Sequence, residues 1–183
     1  MPKAMTTAML TAVALVVGAA GCGSTDPVDP ADEPGMTLRL NGELWASTGP
    51  ALAPLSVVGL SVFAERWLDG RYPLYRGVGF RVPASAWAGA GRYPLESGAD
   101  EGRRTAYFVE SDGDVSIALY WAVPEAGGWV EVTRYDETTG ALEGRFEGVF
   151  AVQPDHAASP RRELPDTLRV TEGRFRAVVD DRR

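Results

Sequence analysis

Two long stretches of this chain alternate apolar and other residues with a period of two. In residues 141–152, ALEGRFEGVFAV, every even-numbered position is apolar or Gly. Residues 115–123, VSIALYWAV, show the same period, and their odd-numbered positions carry the larger apolar side chains, Trp121 among them. Because successive side chains of a strand point to opposite faces, both stretches are predicted to be strands with one buried face, and Trp121 is predicted to lie in the core.

Weaker alternation and turn signals extend the β pattern through the rest of residues 36–183. The 21 Gly and 13 Pro residues favour a turn-rich β protein over a helical bundle. Asn41-Gly42 is a dipeptide that type I′ hairpin turns prefer. Together these segments predict an all-β domain, an antiparallel β-sandwich or flattened barrel of about nine strands. The further candidate strands are 37–40, 43–47, 55–64, 76–82, 105–111, 128–135 and 167–179.

The tetrapeptide EGRF occurs twice, at residues 143–146 and again at 172–175. In the second copy, the apolar residues Leu168 and Val170 lie at even-numbered positions, whereas Phe175 lies at an odd-numbered position. A bulge near Gly173 would reconcile them, since an extra residue in a strand changes which face the following side chains take. We therefore predict two similar strands in which Phe enters the core and Gly permits close packing.

The first 22 residues have the layout of a leader for export. Lys3 supplies a positive charge, and the apolar run from Ala8 to Ala20 has 13 residues, fewer than the roughly 20 that a membrane-spanning helix needs. The run ends in Ala-Ala-Gly and is followed by Cys22, the only cysteine. These residues resemble the lipobox of bacterial lipoproteins. The resemblance implies a helical signal peptide over residues 1–21, cleavage before Cys22, a diacylglyceryl group on its sulfur, and acylation of the new N-terminus.

The lone thiol agrees with that interpretation, since an unpaired cysteine is unusual in an oxidising compartment unless something consumes it. Two or three acyl chains would hold the protein permanently, because a single chain binds a membrane only reversibly. Residues 22–35 are predicted to be a disordered tether with three Pro and four acidic residues. At about 3.1 Å per residue, the tether would place the β domain of residues 36–183 up to about 40 Å from the lipid.

The formal net charge of −7 restricts the partners of the chain. It argues against nucleic acid, whose phosphates would be repelled, and against flat adhesion to an anionic membrane surface. The same charge opposes self-association, so a monomer is expected.

We find no group of residues with the spacing of a catalytic or metal site. His156 is the only histidine and lies in a segment typical of an exposed loop. Glu110, Asp112 and Asp114 could offer oxygen ligands to Ca²⁺, but their spacing does not match a calcium-binding loop, and Asp-Gly is ordinary turn chemistry. We therefore expect no enzyme activity, no cofactor and no metal.

Trp67 and Trp87 lie in turn-like segments close to several tyrosines. They are predicted to pack beneath loops or, alternatively, to rim a pocket or cap a barrel end. An early Gly followed by Trp also resembles the lipocalins, although Gly42 and Trp45 are one residue further apart here than in that family. A lipocalin-like barrel that binds a small apolar ligand is therefore the alternative function.

Five motifs occur in a fixed order in the folded part: LNGELWAS near the start, GRYPL at 91–95, GWVEVTRYD at 128–136, GALEGRFEGVF at 140–150 and VTEGRF at 170–175. They resemble a family of small bacterial lipoproteins of unknown function. The resemblance implies an all-β domain and carries over no catalytic residue. The expected function is a lipid-anchored protein of the cell envelope, a non-enzymatic interaction or structural module. Gly23 after the anchor favours the outer membrane if the host has two membranes.

Replacing Cys22 by Ser should abolish incorporation of labelled fatty acid, because a serine hydroxyl cannot form the thioether to diacylglycerol. Cells that express the wild-type chain or the variant would be grown with the label, and the immunoprecipitated proteins would be counted. Equal labelling of the two proteins would contradict the assignment of Cys22 as the lipidation site.

Overall fold

The computed structural model of the chain describes residues 35–68, 74–95 and 105–181. The predicted signal peptide of residues 1–21, the predicted lipidation site Cys22 and nearly all of the tether lie outside the described residues. Among the helices of the described part, none is long and apolar enough to cross a membrane.

The described residues form an all-β domain, as predicted, with eleven strands and almost no helix. A 3₁₀ turn lies at Pro124–Ala126, and a one-turn helix, α1, lies at Pro154–Ala157. The sequence predicts fewer strands because it misses one short strand and merges two others. The strands are β1 (Gly35–Leu40), β2 (Glu43–Ala46), β3 (Ala51–Ser56), β4 (Gly59–Trp67), β5 (Leu74–Pro83), β6 (Gly91–Pro94), β7 (Ala106–Asp112), β8 (Val115–Ala122), β9 (Trp129–Tyr135), β10 (Ala141–Val152) and β11 (Thr167–Asp181).

The predicted strand 55–64 has the wrong bounds, since a tight turn at Val57 and Val58 divides it between β3 and β4. The turn escapes detection in the sequence because both of its residues are apolar, and Val57 is 80% exposed. Gly59 permits the turn: its φ is +120°, and a Cβ there would lie 2.1 Å from the Val82 carbonyl oxygen.

The eleven strands form one sheet that folds over into two layers. Sheet A has the order β2-β1-β11-β10-β9-β6, and sheet B has the order β3-β4-β5-β7-β8, with antiparallel neighbours throughout. Sheet A continues into sheet B at two corners, where β11 pairs with β3 in parallel and β10 pairs with β8. The result is a sandwich closed at both sides, which agrees with the predicted fold class.

The two corners exist because β10 and β11 are each long enough to pair with two different strands along one edge. β10 pairs with β9 through residues 142–147 and with β8 through residues 150–152. β11 pairs with β1 through residues 170–176 and with β3 through residues 177–181. Because the two corners lie at opposite ends of the β10–β11 pair, the sheets close around a single core.

The core lies between the two sheets and is filled by large side chains. The ring centroid of Phe80 in sheet B lies 5.5 Å from that of Phe146 and 5.0 Å from that of Phe175, both in sheet A. Burial of such apolar surface, at about 25 cal/mol per Å², is the main stabilising contribution to a domain of this kind. The bulkiest fully buried side chains are Tyr120, Phe108, Phe146, Phe150, Met36 and Leu38.

The two copies of EGRF lie side by side at the centre of sheet A. In the antiparallel register Gly144 faces Phe175 and Phe146 faces Gly173, so each Phe packs on the Gly of the other copy. A Cβ on Gly144 would lie 2.2 Å from the Phe175 Cζ, and a Cβ on Gly173 would lie 2.4 Å from the Phe146 carbonyl oxygen. No other residue type fits at either glycine without a shift of its neighbours.

The bulge predicted near Gly173 is confirmed. Between the pairs Phe146–Gly173 and Gly148–Val170, β11 contains one residue more than β10. Glu172 lies within the bulge and has a φ of +53°. Burial accordingly changes from even-numbered positions before the bulge to odd-numbered positions after it.

The predicted Asn41-Gly42 hairpin joins β1 to β2, with φ angles of +52° and +89° at its two residues. Positive φ at both positions is what a type I′ turn requires. Asn41 also extends the pairing of β1 with β11, since its Oδ1 accepts a 2.8 Å hydrogen bond from the backbone N–H of Arg169.

The predicted core position of Trp121 is wrong, because β8 faces the other way. Tyr120 and Ala118 are 0% exposed and belong to the core, whereas Trp121 and Leu119 are half-buried on the outer face of sheet B. Both faces of this strand carry apolar side chains. The period of two therefore identifies the strand but does not decide which face lies inside.

Phe146→Ala should lower the free energy of unfolding by about 3–5 kcal/mol, because loss of a buried ring leaves a cavity in the core. Glu147→Ala, on the opposite face of β10, should change it by no more than about 0.5 kcal/mol. Chemical denaturation of both variants measures the difference. Equal effects would show that the register of β10 is wrong, since a slip by one residue exchanges the two faces.

Candidate functional site

Trp67 and Trp87 do not border a common pocket. Trp67 pairs with Tyr75 at one end of the β4–β5 hairpin, whereas Trp87 follows the other end, where Gly59 pairs with Pro83. The Trp67 ring centroid lies 5.1 Å from that of Tyr75, so this tryptophan packs within its own hairpin. Because they lie at opposite ends of this hairpin, the two tryptophans do not rim one pocket together.

Trp87 packs against the edge of the core. Its ring centroid lies 5.9 Å from that of Tyr93 and 5.5 Å from that of Tyr135. The Tyr93 hydroxyl donates a 2.7 Å hydrogen bond to the Gly89 carbonyl and accepts one of 3.2 Å from the Ala88 N–H. Of the roles left open for Trp87, these contacts support packing beneath a loop.

The outer face of sheet B carries a cross-strand row of apolar residues. The register places Leu52, Phe63, Gly79, Tyr107 and Trp121 next to one another on five successive strands. The Phe63 and Tyr107 rings are stacked with centroids 5.9 Å apart, and the Trp121 ring meets the Tyr107 ring edge to face at 6.0 Å. We call these three rings the aromatic row.

Two glycines of β5 create the space for the aromatic row. A Cβ on Gly79 would lie 2.8 Å from the Tyr107 Cζ, and a Cβ on Gly77 would lie 2.7 Å from the Phe63 Cε2. The two rings therefore pack directly on the backbone of the central strand. A side chain at either glycine would displace a ring.

Two exposed aliphatic side chains continue the aromatic row across β3 to the neighbouring strand β11 of sheet A. Leu52 is 60% exposed, and Val178, its partner in the register with β11, is 57% exposed. They border an open, mainly apolar depression of about 420 Å³. A continuous apolar strip on the outside of a folded domain is typical of a contact surface.

The outer face of sheet A differs in character, because arginines predominate there. A groove of about 1320 Å³ is lined by Arg134, Arg145, Arg174 and Arg176, with Glu143 as the acidic residue of the lining. We call it the arginine groove. It is a positive surface in a chain whose net charge is −7.

Carboxylates neutralise part of the charge in the arginine groove. Arg145 Nη2 lies 2.8 Å from Glu131 Oε2. Glu143 is shared by two arginines, with its Oε1 3.3 Å from Arg134 and 3.4 Å from Arg176. Each of these pairs joins neighbouring strands of sheet A.

Arg174 differs from the other arginines of the groove. It is exposed, and its neighbours in the register are Thr37 on β1 and Arg145 on β10. Within the described ranges no carboxylate forms an ion pair with Arg174. Like charges directly opposite each other destabilise a sheet, so an anion bound between Arg145 and Arg174 would be stabilising.

The carboxylates considered for Ca²⁺ are separated in the structure. Glu110 faces the core at 4% exposure, with its Oε1 3.0 Å from Arg76 Nη2. Asp112 forms an ion pair with Arg161, and Asp114 is exposed in the β7–β8 turn. Among the described residues, no three His, Cys, Asp or Glu side chains are close enough together to hold a metal ion.

His156 was predicted to lie in an exposed loop, and this is wrong. It is half-buried in α1, and its Nδ1 lies 3.3 Å from the Ile117 carbonyl oxygen of β8. A helix of one turn is too short to leave a periodic signal in the sequence, which is why the segment resembles a loop.

Sequence analysis singles out neither the arginine groove nor, apart from Trp121, the aromatic row. A partial signal for the groove exists, since Arg145 and Arg174 fall on the non-apolar parity of their strands. Their convergence depends on which strands pair, and a single sequence does not reveal that. Cys22 lies outside the described residues, so the structure does not bear on it.

Comparisons with protein-family models, with curated proteins and with solved structures find no match to this chain. The likeness to small bacterial lipoproteins therefore stays a prediction from the motifs.

Burial raises the pKa of Tyr107 above its ordinary value of 10.0, with Tyr75 adding to the rise and Arg81 opposing it. Because the folded pKa is the higher one, this contribution to stability is complete below about pH 10 and is lost as the pH rises through the folded pKa. Tyrosinate absorbance against pH, compared with Tyr107→Phe, measures the shift. A Tyr107 signal that titrates at the ordinary value would contradict the packing of the aromatic row.

Proposed function

We propose that this chain is a lipid-anchored protein of the cell envelope and acts there as a non-enzymatic interaction module. The observation that carries the proposal is the distribution of side chains between inside and outside. Large rings fill the space between the sheets, whereas both outer faces carry organised sets of side chains. An interaction module needs contact surfaces of this kind, and a carrier of small ligands needs an open interior.

The two outer surfaces suit different partners. The aromatic row offers rings, which contribute much contact area and are enriched at protein interfaces. The arginine groove offers positive charge. Since the two surfaces lie on the outer faces of different sheets, they point away from each other, and one domain could contact two partners at once.

The anchor and the location rest on the sequence. Cys22 follows a lipobox-like Ala-Ala-Gly, and the 12 residues 23–34 connect it to β1. With two or three acyl chains, the attachment would be effectively permanent. In a host with two membranes we favour the outer membrane.

Several titratable side chains form contacts that hold the fold together, and this supports a non-enzymatic role. The buried carboxylate of Glu110 is paired with Arg76, which also lies 2.9 Å from Glu163. Asp112 is paired with Arg161, and His156 contacts a backbone carbonyl. These contacts tie the loop after β10 to sheet B, which is a structural task.

The alternative, a lipocalin-like carrier of an apolar ligand, needs space between the sheets. Tyr120 and Phe108, both 0% exposed, occupy that space together with Phe146 and Phe150. Packed interiors of this kind contain few voids larger than a water molecule. The filled core therefore supports the interaction module over the carrier.

Titration with a long-chain fatty acid tests the module against the carrier, while labelling at Cys22 tests the anchor. Tryptophan fluorescence of the wild-type chain should show no saturable change, because large side chains fill the core of the described residues. Trp121→Phe is the matched control, since it removes any signal that comes from weak contact with the aromatic row. Saturable binding at one ligand per chain that persists in Trp121→Phe would favour the carrier.

A further inference from the structure

Arg145 and Arg174 place two positive charges opposite each other at the centre of sheet A. Thr37, on the other side of Arg174, is uncharged. The neighbouring carboxylates already form ion pairs with other arginines. Glu131 pairs with Arg145, and Glu143 pairs with two other arginines. The described residues thus leave a positive charge at Arg174 that costs stability in the isolated domain.

A phosphate group fits this position by its chemistry. A guanidinium group is a planar fork of N–H donors that matches the oxygens of a phosphate, and neighbouring forks can share one phosphate. Arg134 and Arg176 line the same groove, and both form an ion pair with Glu143. They would add attraction for a negatively charged ligand.

The arginine groove lies where the chain enters the β domain. Gly35 and Thr37, both in β1, belong to its lining, and Gly35 is 13 residues from Cys22. A segment of this length reaches at most about 40 Å. A domain anchored through Cys22 would therefore stay within reach of the headgroups of its own membrane, and the effective concentration of those headgroups at the groove would be high.

We propose that the arginine groove binds the phosphate groups of anionic membrane-lipid headgroups and so docks sheet A against the membrane. The inference rests on the proposed function, because the headgroups are those of the membrane that holds the lipid anchor. In this orientation the aromatic row on sheet B faces away from the membrane, on the side where a second partner would bind.

The net charge of −7 argues against adhesion of the chain as a whole, but it acts only weakly at the groove, because charges in salt solution act over a short range. At physiological ionic strength the Debye length is about 8 Å, so acidic residues on sheet B have little effect at the groove. Binding of an anionic headgroup therefore depends on the charges that line the groove, and arginines outnumber acids in this lining. Near an anionic surface each arginine strengthens binding about fivefold.

Vesicle sedimentation with the full chain tests the proposal. All proteins carry Cys22→Ser, so that no lipid anchor contributes, and any contribution of the leader is common to all of them. Arg174→Glu is compared with Arg66→Glu, which makes the same charge change at an exposed arginine of sheet B. Vesicles of phosphatidylcholine with phosphatidylglycerol are compared with phosphatidylcholine alone, and circular dichroism checks that each variant is folded.

The parent chain should bind the anionic vesicles more tightly than the neutral ones. Arg174→Glu should weaken binding to the anionic vesicles about 25-fold, which is about fivefold for each of two charge units. Arg66→Glu should bind like the parent chain. The preference for anionic vesicles should fall as salt is added.

Equal effects of the two substitutions, or no preference for anionic vesicles, would overturn the proposal. Calorimetry with inorganic phosphate distinguishes the sources of the ligand: Arg174-dependent binding of free phosphate without vesicle binding would also overturn it, in favour of a soluble phosphate compound. Fatty-acid labelling at Cys22 is independent of all these measurements. Failure of the docking proposal is therefore distinguishable from failure of the proposed function.

Discussion

Each phenylalanine of the two EGRF motifs packs on a glycine of the opposite strand, and the rest of the sandwich depends on this contact. Phe146 and Phe175 fill the centre of the core, where both rings meet Phe80 of the opposing sheet. A side chain on Gly144 or Gly173 would collide with these rings or with the backbone. The same two strands, β10 and β11, hold the corners through which sheet A continues into sheet B. Core packing and closure of the sandwich are therefore coupled.

The arginine groove is a consequence of the same register. The apolar side chains of β10 and β11 point into the core. The alternate residues therefore point to solvent, and charged residues are found among them. The register that places Phe146 opposite Gly173 also places Arg145 opposite Arg174. The bulge at Glu172 contributes, since without it the residues after the bulge would take the other face. A shift in the pairing of β10 with β11 would therefore move the arginines together with the core residues.

Sheet B uses both of its faces for packing, but with different side chains. On β5, Val78 and Phe80 point into the core, while Gly77 and Gly79 lie beneath the rings of the aromatic row on the outside. The central strand is therefore buried on both sides. The row of rings on this outer face is what makes the surface suitable for a partner.

The sequence by itself determined the all-β class, the buried face of β10, the Asn41-Gly42 hairpin and the bulge near Gly173. These features depend on periodicity and turn chemistry within a few residues, and the prediction for Cys22 is local in the same way. Only the tertiary structure decided that Trp121 lies outside, because both faces of β8 are apolar. It also decided the aromatic row and the position of Arg145 opposite Arg174. Both arise from pairing between strands that are distant along the chain, and no local pattern encodes which strands become neighbours.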